Sequence, residues 1–407
     1  MRKVAGILVA LLLTSGLLYG QFAIIHNFTG GGDGGFPFSG VTFVSGNLYG
    51  TTQSGGNGFG VVYRLANRDG WLLSPLYMFA GGDDGAYPEA RVVRAPDGSL
   101  WGTTSGGGDY PCEPPYGCGT AFRLRPSPTA PRTALAPWQK TTLHQFQGLD
   151  GGEPGVGDLV FDSSGAVYGT AGLGGNSSPA CGGYGCGVVF KLMGSGDMWT
   201  ESVLYNFTGG FEQDEGDPAG GVIFGPDNNL YGTTEGAGAG SGTVFQLSRS
   251  GDNWTETTIH NLSYDEGAYP IAGLAVDNAG NLYGGTVRGG SGDAGTIFKM
   301  SRDGANWDFS VIHNFVGVAG PYASPTVDVA GNVYGTAINT GQYGYGVVFE
   351  LSPTGSGWTY NVLHDFTGGA DGAFPMSQVT IGPDGTLYGT TEGGGTYGWG
   401  VVWKISR

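Results

Sequence analysis

Charge is scarce in this chain. Of 407 residues, 17 are Lys or Arg and 34 are Asp or Glu, which leaves a formal net charge of −17. A surface short of cations and acidic on balance is repelled by phosphate backbones and anionic headgroups, which argues against nucleic-acid or membrane-surface partners. Cations, neutral sugars and proteins remain compatible. After the first twenty residues there is no long hydrophobic run, so no spanning helix is expected in the body of the chain. Nor does any window sustain an apolar period of 3.6 residues, which removes helical folds from consideration. Cysteine and histidine are rare, four and five residues, and their placement becomes informative once the repeat is seen.

What is abundant is glycine, 84 residues. Aromatics make up 13% of the chain and recur in order, which low-complexity glycine tracts do not show. The start, Met1-Arg2-Lys3 followed by an apolar run to about Tyr19 and then Gly20-Gln21, has the form of a secretory signal over residues 1–20. The expectation is a secreted protein, extracellular or periplasmic, that is soluble after cleavage.

One motif occurs seven times: Leu48-Tyr-Gly-Thr-Thr52, Leu100-Trp-Gly-Thr-Thr104, Val167-Tyr-Gly-Thr-Ala171, Leu230-Tyr-Gly-Thr-Thr234, Leu282-Tyr-Gly-Gly-Thr286, Val333-Tyr-Gly-Thr-Ala337 and Leu387-Tyr-Gly-Thr-Thr391. A tight turn such as Asp277-Asn-Ala-Gly-Asn281 precedes each copy. A glycine loop and an apolar run such as Val347-Val-Phe349 follow. A fourth segment of the type Ile312-His-Asn-Phe315 completes the unit. Short β-branched and aromatic runs bounded by Gly, Asp, Asn and Pro are strands. In order they are labelled A, B (the Leu-Tyr-Gly-Thr-Thr motif), C and D.

Strand B is apolar on both faces, as expected of sheets sandwiched between neighbours in a ring. The chain opens with an unpartnered D strand, Gln21 to Phe28, and closes with an unpartnered C strand, Val401 to Ile405. Joining them leaves no free edge. The fold read from the sequence is therefore all-β: residues 21–407 form a single seven-bladed β-propeller of four-stranded blades, sealed by its N-terminal strand. The proline-rich segment Arg125 to Gln139 reads as a surface excursion. The glycine after the strand-B aromatic is expected to admit the bulk of the next sheet.

Antiparallel strands sort the connections. A–B and C–D turns lie on one face, and the B–C and D–A loops on the other, which collects the unusual residues. Cys112 with Cys118, and Cys181 with Cys186, suggest two local disulfides of an oxidising compartment. A zinc site made of all four is the alternative, although their spacing misses the usual knuckle. Six D–A loops carry an acid four residues before a proline: Asp33, Asp84, Asp150, Asp214, Glu266 and Asp371. An acid-capped turn explains these, and bound calcium is the competing reading.

The B–C loops present Phe59, Tyr343, Tyr345, Tyr397 and Trp399, with Tyr116 and Tyr184 near the cysteines. Aromatics among glycines and acids stack on sugars or extended peptides, or else simply cover blade edges. Glu235 and Glu392 follow strand B in blades four and seven, where they could face the channel as paired acids. All five histidines, His26, His144, His260, His313 and His364, fall at one position of strand D, where Tyr77 and Tyr205 stand in the other blades. That repetition marks packing and leaves no unique histidine for a catalytic triad. No catalytic residue is assigned.

The unit Asp-x-x-Gly-x-Leu-Tyr-Gly-Thr-Thr, glycine loop, Gly-Val-Val-Phe-x-Leu resembles the GloVer tandem repeat, named from Gloeobacter and Verrucomicrobia. The resemblance covers nearly the whole mature chain. It implies an exported bacterial protein and no particular activity. Without a C-terminal sorting segment, release is favoured over anchoring. The Asp277 to Tyr283 turn bears a looser likeness to NHL-type and gluconolactonase-like propellers, which hold a divalent metal in the channel. No equivalent ligand set can be picked out here. The leading expectation is a secreted, non-enzymatic, monomeric binding or scaffold propeller for carbohydrate or protein, with no cofactor unless calcium. A metal-dependent hydrolase or lyase using the channel is the alternative, and a structural envelope component the third reading. Three or more acids from different blades converging at the channel mouth would favour the hydrolase or lyase.

Overall fold

The computed structural model describes residues 20–68, 70–109, 112, 117–127, 138–183, 185–210, 216–236, 240–251, 253–304 and 306–407. Nearly all of the expected signal segment, together with Asp214, Tyr116, Tyr184 and most of the proline-rich excursion, lies outside them. Seven four-stranded antiparallel sheets form the ring. Blade one consists of strands Thr42–Val44, Asn47–Thr52, Val61–Asn67 and Trp71–Met78, from A to D. Blades two to six span 93–145, 160–206, 222–261, 275–316 and 326–365. Blade seven takes Thr380–Ile381, Leu387–Thr391 and Val401–Ser406 as A to C, and Gln21–Asn27 as D. The closing pair runs antiparallel from Gln21 opposite Ser406 to Asn27 opposite Val401. The N-terminal strand therefore seals the ring, so blade seven has the same four strands as the others.

The repeated residues each have a structural job. In strand B, alternate side chains face opposite blades. Leu387 packs in the cluster that holds Tyr334 of blade six, and Tyr388 in the cluster of blade one. The Asp of the A–B turn caps that turn and accepts the strand-B tyrosine hydroxyl, as in Asp227 with Tyr231 at 2.7 Å and Asp277 with Tyr283 at 3.0 Å. The first threonine of Thr-Thr ties to the next blade: Thr51 Oγ1 donates to the Ala90 carbonyl at 2.9 Å and Thr233 to Ala272 at 2.8 Å. The second holds its own B–C loop, as Thr234 does with Thr243 at 2.8 Å.

The glycine after the strand-B aromatic differs from expectation. What fills its space is the strand-C aromatic of the same blade, its direct cross-strand partner. Gly389 is paired with Trp403, and a Cβ there would lie 2.3 Å from the indole. Close approach is required within the blade, and the expected approach of the next sheet is not what the glycine serves.

A further interlock repeats around the ring. A tryptophan early in strand D packs on the strand-B aromatic of the preceding blade, as with Trp71 on Tyr388, Trp254 on Tyr168 and Trp307 on Tyr231. Burying such pairs adds roughly 0.5–1.5 kcal/mol beyond area for each. Among the described residues no helix is long and apolar enough to cross a membrane.

Candidate functional site at the channel mouth

The residue before the D–A proline shapes the loop face. Phe36, Tyr87, Glu153, Asp217, Tyr269 and Phe374 all adopt left-handed backbone, φ from 54° to 59°. Such a conformation costs about 1–3 kcal/mol for a residue with a side chain and persists only where the surroundings over-determine it. Here the N–H is taken by the preceding blade's B–C loop: Tyr87 donates to the Phe59 carbonyl at 2.9 Å and Asp217 to Cys186 at 2.8 Å. Its own carbonyl accepts from the residue that follows strand B, as Glu235 N–H does to Asp217 at 2.9 Å. Three loops are thereby stitched at each junction.

The same stitch explains the loop aromatics and the disulfides. Trp399, Phe59 and Tyr345 lie over Gly30, Gly81 and Gly368 of the next D–A loop, where a Cβ would sit 2.4–2.8 Å from the rings. Each meets the pre-proline aromatic beside it: Trp399 with Phe36, Phe59 with Tyr87, Tyr345 with Phe374. The three close separate junctions and make no ring contact with one another. Tyr343 and Tyr397 are exposed. In blades two and three, Cys118 and Cys186 occupy the loop position of Phe59, bonded to Cys112 and Cys181. Gly209 lies against the second bridge as Gly30 does against Trp399. The disulfides take the place of the covering ring, and the four thiols are committed to them.

The described D–A acids serve their own turns. Asp33 accepts from Thr29 N–H at 3.1 Å and faces His26 Nε2 at 3.1 Å. Asp150, Glu266 and Asp371 repeat this with His144, His260 and His364. Burial pushes these three carboxyls up, but the hydrogen bonds from loop and histidine outweigh it and hold them below their usual range. In blade one, Tyr77 replaces histidine and donates to Asp84 at 2.6 Å. The loop without an acid leaves His313 with burial alone, which pushes it down to about 4.

The carboxylates that do converge are others. Glu89, one residue past the proline of blade two, accepts from Gln53 Nε2 at 2.7 Å. Its carboxyl lies against Ser105 and Gly155, where a side chain would displace it. Burial raises Glu89, and nearby Glu153 raises it further. Asp217 of blade four extends over Gly172 of blade three and shares a hydrogen bond with Glu235. Burial, then Glu235 and Glu153, push Asp217 up to about 7. Two carboxyls holding one proton is the arrangement expected of like charges in a desolvated site. Glu235 therefore pairs with Asp217 rather than with Glu392, which stands in blade seven and is raised by burial alone.

Glu89 and Glu153 line an open cavity of about 330 Å³ with Gln53, Tyr87 and Ser105. Glu89 also lines the central channel, a cavity of about 190 Å³ reached by residues of all seven blades. Within the channel, Arg91 spans from blade two to Asp158 of blade three, with Nε to Oδ2 at 2.7 Å. Facing the acids across the channel, blades five to seven contribute Ile271, Tyr322 and Met376 packed on Val287 and Ile338. The mouth gathers its acids on blades two to four, while the opposite side is mainly apolar and carries the separate Glu392. Sequence reasoning missed Glu89, Glu153 and Asp217. The available signal was the pre-proline position, where two adjacent repeats replace an aromatic by an acid.

Comparison with solved structures supports the fold. An ulvan lyase, a polysaccharide lyase solved bound to -[GlcA(1-4)Rha3S]-, is similar over 92% of this chain and 95% of its own, with a TM-score of 0.52 at 12% identity. A protein assigned as a 6-phosphogluconolactonase of Bacteroides uniformis covers 81% of this chain and 84% of its own, at a TM-score of 0.50 and 12% identity. One assigned as a gluconolactonase covers 95% and 92%, at 0.42 and 15%. The first two likenesses carry the architecture and nothing of the chemistry. A search of curated proteins finds no match. The Gloeobacter/Verrucomicrobia repeat matches over residues 12–183 and 179–403, nearly the full length, and the chain belongs to that repeat family.

Proposed function

We propose that this protein is an exported binding propeller that holds a neutral carbohydrate at the channel mouth on its loop face. The division of that mouth carries the proposal: carboxylates and Gln53 on blades one to four, Ile271, Tyr322 and Met376 on blades five to seven. A sugar ring has hydroxyl donors around its rim and C–H faces, so acceptors on one side and apolar or aromatic surface on the other suit it. Anionic glycans fit poorly. A net charge of −17 and an acid arc repel uronates and sulfates, so the ligand of the ulvan lyase does not carry over. Two disulfides support an oxidising compartment.

A second reading, favoured by the convergence of Glu89, Glu153 and Asp217 from blades two to four, rests on the Asp217–Glu235 pair. A carboxylic acid still protonated near pH 7, beside a carboxylate, is suited to general acid–base hydrolysis of the bound sugar. The test is a glycan array of neutral and anionic oligosaccharides, followed by calorimetry. Neutral glycans are expected to bind, with affinity falling at least tenfold in Tyr322→Ala and Glu89→Gln and staying within twofold in Tyr345→Ala. Absence of neutral-glycan binding, or binding indifferent to Tyr322 and Glu89, overturns the proposal. Release of reducing ends that disappears in Asp217→Asn would establish the hydrolytic reading.

A further inference from the structure

The outer rim of the ring carries a second group of interest. Among the described residues, one set of three metal-ligand types comes together: His144, Asp150 and Glu201, whose ligand atoms lie within 4.8 Å of one another. They come from three segments. His144 is on strand D of blade two, Trp138–Gln145, and Asp150 is in the D–A loop that follows. Glu201 is on strand D of blade three, Met198–Asn206.

Comparison between blades isolates what is different here. A residue four places before the strand-D histidine or tyrosine leans on the preceding blade's histidine. At three junctions it is aromatic and stacks flat, Phe309 on His260 at 4.0 Å, Tyr360 on His313 at 4.0 Å and Phe22 on His364 at 3.5 Å, while blades one and two carry Leu73 and Lys140 there. At the junction of blades two and three the same strand position is Glu201. Glu256 shares that position in blade four, but the blade before it offers Tyr205, not an imidazole. Among the described residues, only at this junction does a carboxylate at that position face a histidine, and that histidine already stands 2.8 Å from Asp150.

The exchange leaves a polar debt. Oε1 of Glu201 is buried with no hydrogen-bond partner. An unsatisfied buried acceptor costs about 1–3 kcal/mol, and more when charged. Asp150 is held by the Gln147 N–H at 2.6 Å and by the His144 ring, but among the described residues no hydrogen bond reaches Glu201 Oε1. A divalent cation would satisfy all three. We infer that His144, Asp150 and Glu201 form a binding site for a divalent transition metal of the zinc or manganese kind. One imidazole nitrogen with two carboxylate oxygens suits these ions, and the nitrogen selects against calcium and magnesium, which prefer oxygen alone. The metal takes the place of the proton between His144 Nε2 and Asp150 Oδ2. The His144 and Asp150 side chains are each about one-fifth exposed, 19% and 21%, which leaves a route for the ion and room for water ligands. This site is remote in role from the channel mouth and stands or falls separately from the carbohydrate reading.

The experiment uses tag-free full-length protein stripped with chelator, titrated calorimetrically with Zn²⁺, Mn²⁺ and Ca²⁺. One Zn²⁺ or Mn²⁺ per chain is expected to bind in preference to Ca²⁺. Glu201→Gln, nearly isosteric, is expected to weaken that binding at least tenfold, and His364→Gln, the equivalent pair beneath Phe22, to leave it unchanged. Saturable binding that survives Glu201→Gln, preference for Ca²⁺, or no binding at millimolar metal would each overturn the inference.

Discussion

Replacing Asp217 by Asn tests the acid pair through stability, independently of any ligand. Asp217 is moved from an ordinary 3.8 to about 7, chiefly by burial and then by Glu235 and Glu153. Its native state keeps a proton that the unfolded chain gives up near pH 4. The associated stability is present in full below pH 4 and is lost as the pH rises to about 7, because ionisation then favours the unfolded chain. A shift of this size corresponds to on the order of 4 kcal/mol. Asn resembles the protonated acid, can still donate to Glu235, and cannot ionise. Wild type and variant are therefore expected to differ by only about 1 kcal/mol at pH 4.5, where the unfolded acid has begun to ionise. The variant should gain steadily towards pH 8, where it is the more stable by up to about 4 kcal/mol. Urea unfolding followed by tryptophan fluorescence from pH 4.5 to 8.5 measures it. A difference that stays flat across that range would refute the shared proton and, with it, the acid–base reading of the mouth.

Two further outcomes follow from packing and burial. Gly389→Ala places a methyl group 2.3 Å from the Trp403 indole and 2.9 Å from Ser377 Oγ, and should cost about 3 kcal/mol in denaturant unfolding. Gly46→Ala meets nothing within 4 Å and pays only for its φ of 80°, about 1 kcal/mol; equal costs would contradict the close-approach account. His313, held by burial at about 4, should show an NMR titration midpoint below 5. It also makes the native state lose stability as pH falls from 6.5 towards 4, since the unfolded chain takes up the proton first. A midpoint at or above 6 would mean that the ring is solvated or paired.

The architecture was legible because every structural position is written seven times. Chance substitution cannot erase a pattern such as Asp277 with Tyr283 when Asp227 with Tyr231 and Asp328 with Tyr334 repeat it. Ring closure was equally legible, since an unmatched strand at each end, Gln21–Asn27 and Val401–Ser406, has one way to be satisfied. The interlock of strand-D tryptophans with strand-B aromatics repeats as well, yet pairing across blades depends on the angle between sheets, which no local pattern encodes.

The candidate sites escaped for the opposite reason. Averaging over repeats reveals scaffold and suppresses departures from it. Glu89, Glu153 and Asp217 each stand where sibling blades carry something else, and so does Glu201 in place of a stacking ring. Their significance arises only from which departures fall at neighbouring junctions. Glu153 and Asp217 occupy consecutive blades, and Glu201 meets the histidine of the blade before it. In a ring of near-identical units, chemistry requires symmetry to be broken, and broken on adjacent units. Adjacent departures at one repeat position are therefore the physically motivated place to look for function in propellers of this kind. Glu392, a lone departure in blade seven, meets no second acid, as that rule requires.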